Sequence, residues 1–245
     1  MKKYLVLLWL LLPLPVVVMH FGPGQQWLAR DKAHAFVTKA QLAEEKENWQ
    51  QADELYGAAA KCVATNSQDL KLRLELARVR TRFRMGDAMA AIEGADKLMD
   101  DPAMGSMPAD FQRESRELTG RIHYYAGWVM RLEGASRELW MEEAELSRQS
   151  FRLLAEQSAA AGAAEYSAKQ QENLESAVQL QRLSLTELMA RPLPKEGQCM
   201  SNQGLSEQMG KRRGKRGDKP GRGENENGPP DKGAGMKRFE PGSGS

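Results

Sequence analysis

An all-α protein built from antiparallel helical hairpins is what this 245-residue chain predicts, and three observations carry the prediction. Alternation of apolar and polar residues, the mark of a half-buried strand, is almost absent. In its place the three-and-four spacing of a helix face recurs through the chain. Between residues 25 and 191 only Pro102 and Pro108 interrupt it, whereas 192–245 hold six of the eleven prolines and twelve of the twenty-two glycines. A helix-rich body is therefore expected to precede a disordered C-terminal tail, too poor in apolar residues to offset its own ordering entropy. Three segments result: a leader over 1–23, a helical domain over 24–191 and a Gly/Pro/basic tail over 192–245.

The leader sets the address. Lys2 and Lys3 precede an apolar run over 4–21, broken only by Pro13, Pro15 and His20. About eighteen residues at roughly 1.5 Å each reach ~27 Å, near the thickness of a bilayer hydrocarbon core. A basic start followed by such a run is the pattern of a signal peptide or a transmembrane helix. The run passes into Gly22-Pro23-Gly24-Gln25-Gln26-Trp27 rather than a small-residue cleavage site. Ala33-His34-Ala35 lies too far on, behind Arg30-Asp31-Lys32, and no Cys follows the run to take a lipid. These features favour an uncleaved anchor; a cleaved signal, giving a secreted or periplasmic protein, is the alternative. The cations nearest the run are Lys2 and Lys3, which favours a cytoplasmic N-terminus and a body on the outer side. In a bacterium that is a single-pass inner-membrane protein with its body in the periplasm.

Seven helices are expected in the body. The first runs over 31–46 and the second over 49–64, before a turn at Thr65-Asn66-Ser67. The third, over 68–85, carries two apolar stripes: Leu70, Leu74 and Ala77 on one side, Leu72, Leu76, Val79 and Phe83 on the other. A helix apolar on two sides is sandwiched between neighbours. Gly86-Asp87 makes the next turn, with Asp87 the N-cap of a helix ending near Asp100. Pro102, Gly105 and Pro108 mark the longest loop. Phe111, Leu118, Ile122, Tyr125, Val129 and Leu132 form a stripe at steps of seven, four, three, four and three. Gly134 ends that helix and Ser136 caps the next, whose stripe is Trp140, Ala144, Ser147, Phe151 and Leu154. A last long helix over 163–190 is stopped by Arg191-Pro192.

The first two hairpins resemble the tetratricopeptide repeat, in which a large residue and a small one four later mark the first helix. Phe36 and Ala40 fit that pair, and Trp49, Ala52, Tyr56 and Ala59 fit the second helix. The next hairpin has Gly86-Asp87 at the turn, then Ala91 and Leu98, with Pro102 near the closing proline. Two features depart from the pattern: Glu47-Asn48 stand where the family prefers glycine, and 110–191 fits the repeat poorly, with Tyr124, Tyr125 and Trp128 at no family position. The resemblance implies a short TPR-like solenoid, a protein-protein interaction scaffold whose groove is lined by the first helix of each pair. Together with a membrane segment and a charged tail, it looks like the repeat proteins of bacterial aerotolerance (Bat) operons. That likeness implies envelope partners bearing von Willebrand factor A domains.

Catalytic and metal chemistry find little support. His20, His34 and His123 stand in no His-x-x-x-His or Glu-x-x-His arrangement, and His123 reads as a packing histidine. Cys62 reads as a small buried residue, and its spacing to Cys199 supports neither a disulfide framework nor a metal site. Glu44-Glu45 and Glu142-Glu143 read as solvated helix faces, and Gly120, Gly127 and Gly134 as sites of close helix approach and capping. No enzyme activity and no cofactor are expected.

Two basic segments are candidate binding elements. In the third helix Arg73, Arg80 and Arg84 share one line and Lys71, Arg78 and Arg82 another. Guanidinium forks match carboxylates bidentately, so Arg73, Arg78, Arg82 and Arg84 are candidates for holding an extended partner segment; a salt-bridged solvent face is the alternative. In the tail, 211–222 hold seven cations in twelve residues. Lys211, Arg212, Arg213, Lys215 and Arg216 are candidates for an anionic membrane surface or polymer, as an electrostatic tether. No aromatic residue interleaves with them, which argues against nucleic acid.

Overall fold

Residues 23–63, 67–190 and 204–217 are described in the computed structural model, and among them every regular element is helical. The apolar run at 4–21, on which the anchor expectation rests, lies outside these residues, as does Cys199. Among the described residues no helix is long and apolar enough to cross a membrane.

Helix α1 (Pro23–Glu45) turns back through Lys46-Glu47-Asn48 into α2 (Trp49–Cys62). The turn works without glycine because Glu47 itself takes the left-handed conformation, at φ 55°, one that an L side chain rarely adopts. Asn48 then accepts the Gln51 N–H and caps α2. The hairpin closes on Ala40, Ala43, Ala52, Tyr56 and Ala59, all buried. Small residues let the two backbones approach, and Tyr56 fills the remaining space. Cys62, expected in the interior, is half-buried at the end of α2.

Helix α3 (Gln68–Met85) is the seam of the molecule. Leu74, with Leu70 and Ala77 beside it, joins the α1–α2 core. Leu72, Leu76, Val79 and Phe83 join a second, larger core shared with α4 (Ala88–Met99) and α5 (Ala109–Leu132). Both expected stripes are therefore used, one on each side. Gly86, at φ 95°, ends α3, and its N–H reaches the carbonyls of Arg82 and Phe83. Asp87 accepts the Ala90 N–H at 3.0 Å and starts α4. A short 3₁₀ turn (Pro102–Ser106) fills the expected long loop.

Helices α5 and α6 (Arg137–Ala160) form the longest hairpin. A Cβ on Gly127 would stand 3.2 Å from the Trp140 carbonyl oxygen and 3.3 Å from the Ala144 nitrogen, so any larger residue would push α6 back by a few tenths of an ångström. Helix α7 (Ala164–Arg182) packs back on α6 through Ala177, Phe151 and Leu154. Each of α1 to α7 thus packs against its neighbour in sequence, a stack of helical hairpins compatible with the repeat resemblance. Full burial of one large apolar side chain such as Ile122 or Leu154 stabilises by about 1.5–3 kcal/mol, and these cores hold many.

Two expectations are corrected. The single helix over 163–190 is broken: Leu183 is extended, and Ser184 starts α8 (Leu185–Met189) with a capping box to Glu187. The break persists because the Arg131 guanidinium donates to the carbonyls of Leu180 at 2.5 Å and Leu183 at 2.7 Å. It thereby caps the end of α7 while stacking on the Trp140 ring at 4.4 Å. The second correction concerns the tail expected over 192–245, within which residues 205–217 form helix α9 (Leu205–Gly217). Leu205 is buried and Met209 nearly so. Tail composition averaged over fifty-odd residues hides this i, i+4 apolar pair, and packing on the body supplies what composition lacks. The rest of 192–245 lies outside the described residues.

Candidate functional site

The cations of α3 are held by partners on the chain itself. Arg78 Nε donates to Asp53 on α2 at 3.1 Å, Arg82 Nε forms an ion pair with the same carboxylate at 3.2 Å, and Arg78 also faces Glu75. These pairs tie α3 to the first hairpin across a half-buried seam. Arg73 pairs with Asp69 one turn earlier and lies over the Phe111 ring at 5.3 Å. Arg84 lies over the Trp49 ring at 6.0 Å, and Arg80 pairs with Glu114 on α5. The four candidates therefore do not converge: Arg78 and Arg82 meet Asp53 within α2, whereas Arg84 lies between the Trp49 ring at the start of α2 and a concavity lined by α3 and α5.

That concavity is a groove between α3, α5, α6 and α7. Two adjoining hollows of about 190 and about 270 Å³ share Phe83, Glu117 and Arg121. The first is bounded by Arg80, Arg84, Glu114 and Leu118. The second continues past Tyr124, Tyr125 and Phe151 to Lys169 and Asn173. Phe83 and Tyr125 meet edge to face, ring centroids 5.8 Å apart, and give the groove an aromatic floor. Glu117 is committed to α7, accepting from the Tyr166 hydroxyl at 2.7 Å and from Lys169 Nζ at 3.3 Å. Burial first, and the Glu117 contact second, push the Tyr166 hydroxyl above the usual tyrosine range.

Four cations, Arg80, Arg84, Arg121 and Lys169, thus face two carboxylates, Glu114 and Glu117. Burial pushes the Arg121 guanidinium below the usual arginine range; Glu117 offsets this in part, while Arg84 and Arg80 push the same way as burial. The half-buried Arg121, with exposed cations at Arg84 and Lys169 beside it, gains from an incoming carboxylate. Sequence reasoning picked out Arg84 but missed Arg121, Lys169 and Tyr124, which stand 37 to 85 residues further along the chain. The available signal was local: Arg80 and Arg84 one turn apart, and three aromatic residues at 124, 125 and 128 outside the repeat pattern.

His123 sits on α5 at 2 % exposure, away from the groove. Its Nδ1 is 2.5 Å from Glu143 on α6 and its Nε2 is 3.3 Å from Asp96 on α4. A neutral imidazole can donate from one nitrogen only, so two carboxylate partners require the imidazolium. Burial alone pushes its pKa down, but the hydrogen bonds and charges of Asp96 and Glu143 outweigh this and raise it to about 9. Asp96 is the mirror case: burial pushes its carboxyl up, and contacts with His123 and Arg212 bring it below the usual range. His123 is a satisfied packing histidine, as its sequence setting implies. Glu143 is not the solvated residue expected, because its helix turns it inward at 5 % exposure, onto the imidazole.

Arg212 reaches this network from α9, placing its guanidinium 2.5 Å from Asp96. Lys211 pairs with Glu207 one turn back on its own helix. Arg213, Lys215 and Arg216 lie on the same helix. Among the described residues no group of His, Cys, Asp and Glu side chains is arranged to hold a metal ion.

Comparison with protein-family models, with curated proteins and with solved structures finds no match to this chain. What the fold defines is therefore a class, an all-α stack of helical hairpins compatible with a tetratricopeptide-like repeat.

Proposed function

We propose that this protein is a non-catalytic scaffold of the bacterial cell envelope, held at the inner membrane by residues 4–21, with its body on the periplasmic side. Its groove between α3, α5 and α7 takes an extended acidic segment of a partner protein. The observation that carries the reading is the cation excess over an aromatic floor: Arg80, Arg84, Arg121 and Lys169 above Phe83 and Tyr125. Such a surface offers carboxylates charge-assisted hydrogen bonds and offers apolar side chains a place to bury. The likeness to Bat-operon repeat proteins adds a partner class, envelope proteins with von Willebrand factor A domains. Of the cations singled out on α3, Arg84 serves binding; Arg78 and Arg82 join α2 to α3 through Asp53.

The test is affinity capture from detergent-solubilised membranes, followed by titration of the identified partner's acidic segment. Arg84→Glu with Arg121→Glu is expected to weaken that segment at least tenfold with helicity intact, whereas Arg73→Glu leaves it unchanged. Equal affinity for wild type and the double variant would refute groove binding.

A further inference from the structure

Helix α9 is held to the body by three small footholds. At its start the Glu133 carboxylate accepts the N–H groups of Gly204 at 3.0 Å, Leu205 at 3.2 Å and Ser206 at 2.7 Å. One turn on, Leu205 and Met209 enter the edge of the main core. Beyond them Arg212 meets Asp96. The fit beneath is incomplete: a hollow of about 50 Å³, lined by Leu139, Glu143, Met209 and Arg212 among others, remains between α9 and the body.

Two of these footholds are electrostatic, and one uses an exposed glutamate. Helix α9 itself carries five cations, Lys211, Arg212, Arg213, Lys215 and Arg216, against one anion, Glu207. Its apolar residues stand four apart at 205 and 209. A short basic helix with a narrow apolar side is the kind that lies in the headgroup layer of an anionic membrane. Docking on the body uses Arg212, and Lys211 pairs with Glu207 on α9 itself, whereas a lipid surface attracts all five cations of the helix.

We infer that α9 is a detachable clasp whose competing partner is an anionic lipid surface. The body's Glu133–Asp96 acceptor and the membrane contend for the same basic helix, Leu205 and Met209 being buried in either place. The tether and the helical body are then alternative seats of one element. This inference is independent of groove binding, because α9 does not line the groove.

Thiol accessibility reports the seat. Leu139 lies under α9, where a Cβ on Gly210 would be 4.0 Å from its Cδ1. Full-length protein carrying Leu139→Cys, with Cys62→Ser and Cys199→Ser, is labelled with a water-soluble maleimide in the presence of lipid vesicles. One set of vesicles is neutral phosphatidylcholine and the other contains about 30 % phosphatidylglycerol. The expected result is labelling at least fivefold faster with the anionic vesicles, an increase abolished by high salt. Glu133→Lys, which repels the positive end of α9, is expected to give fast labelling in both. Equal rates in the two lipids would overturn the competition, with or without release by Glu133→Lys. Slow labelling of Glu133→Lys in neutral lipid would overturn the clasp itself.

Discussion

Replacing His123 with glutamine takes the cation out of a buried cluster while keeping a side chain of similar length that can still hydrogen-bond. In the wild type the ring joins Glu143 at 2.5 Å and Asp96 at 3.3 Å, and its pKa stands at about 9 against an ordinary 6.5. At about 1.4 kcal/mol for each pH unit between the two, its protonation is linked to about 3 kcal/mol of folding stability. Because the folded value is the higher one, this contribution is complete below about pH 6.5 and is lost as the pH rises through about 9. The glutamine variant should therefore fall furthest below wild type at about pH 6 and approach it by about pH 10. Urea unfolding of both proteins across that range, followed by far-ultraviolet circular dichroism, measures the gap. A gap of constant size from about pH 6 to about pH 10 would refute a buried imidazolium. A gap that widens with pH would reverse the sign of the argument.

Phe83→Ala empties a position that is 2 % exposed and packs edge to face on Tyr125. Unfolding free energy should drop by about 3–5 kcal/mol, and a loss under about 1 kcal/mol would mean that α3 and α5 do not share a core. Arg131→Met keeps an apolar stem over Trp140 but strips the cap from the Leu180 and Leu183 carbonyls. Stability should fall by about 1–3 kcal/mol, with faster amide exchange across 180–190; unchanged exchange there would rule out the cap as the cause of the helix break.

Local interactions explain which elements were legible from sequence. The sequence places the third helix with its own ends at Gln68 and Met85; its stop lies in the adjacent Gly86-Asp87, while Ser67 precedes its start without a side-chain cap. Its sandwiched position followed from the two stripes, since an apolar face leaves water only where a neighbour covers it. Although Ser136 precedes the next helix without a side-chain cap hydrogen bond, the α5–α6 hairpin is legible from Gly134, at φ 72°. The break at Leu183 was not, because the residue that stabilises it, Arg131, stands 52 positions earlier.

Sequence by itself determined the all-α class, the hairpin order, most helix ends and the double-sided role of α3, because periodicity and capping act within a turn or two. Tertiary structure alone decided which charges meet. Asp53 claims Arg78 and Arg82, Glu143 turns inward to His123, Arg121 and Lys169 join Arg84 across a groove, and Asp96 and Glu133 hold α9. The physical reason is range. Helical patterning is written in neighbours three and four residues apart, whereas an ion pair depends on which faces packing brings within about 4 Å, and sequence separation says nothing of that.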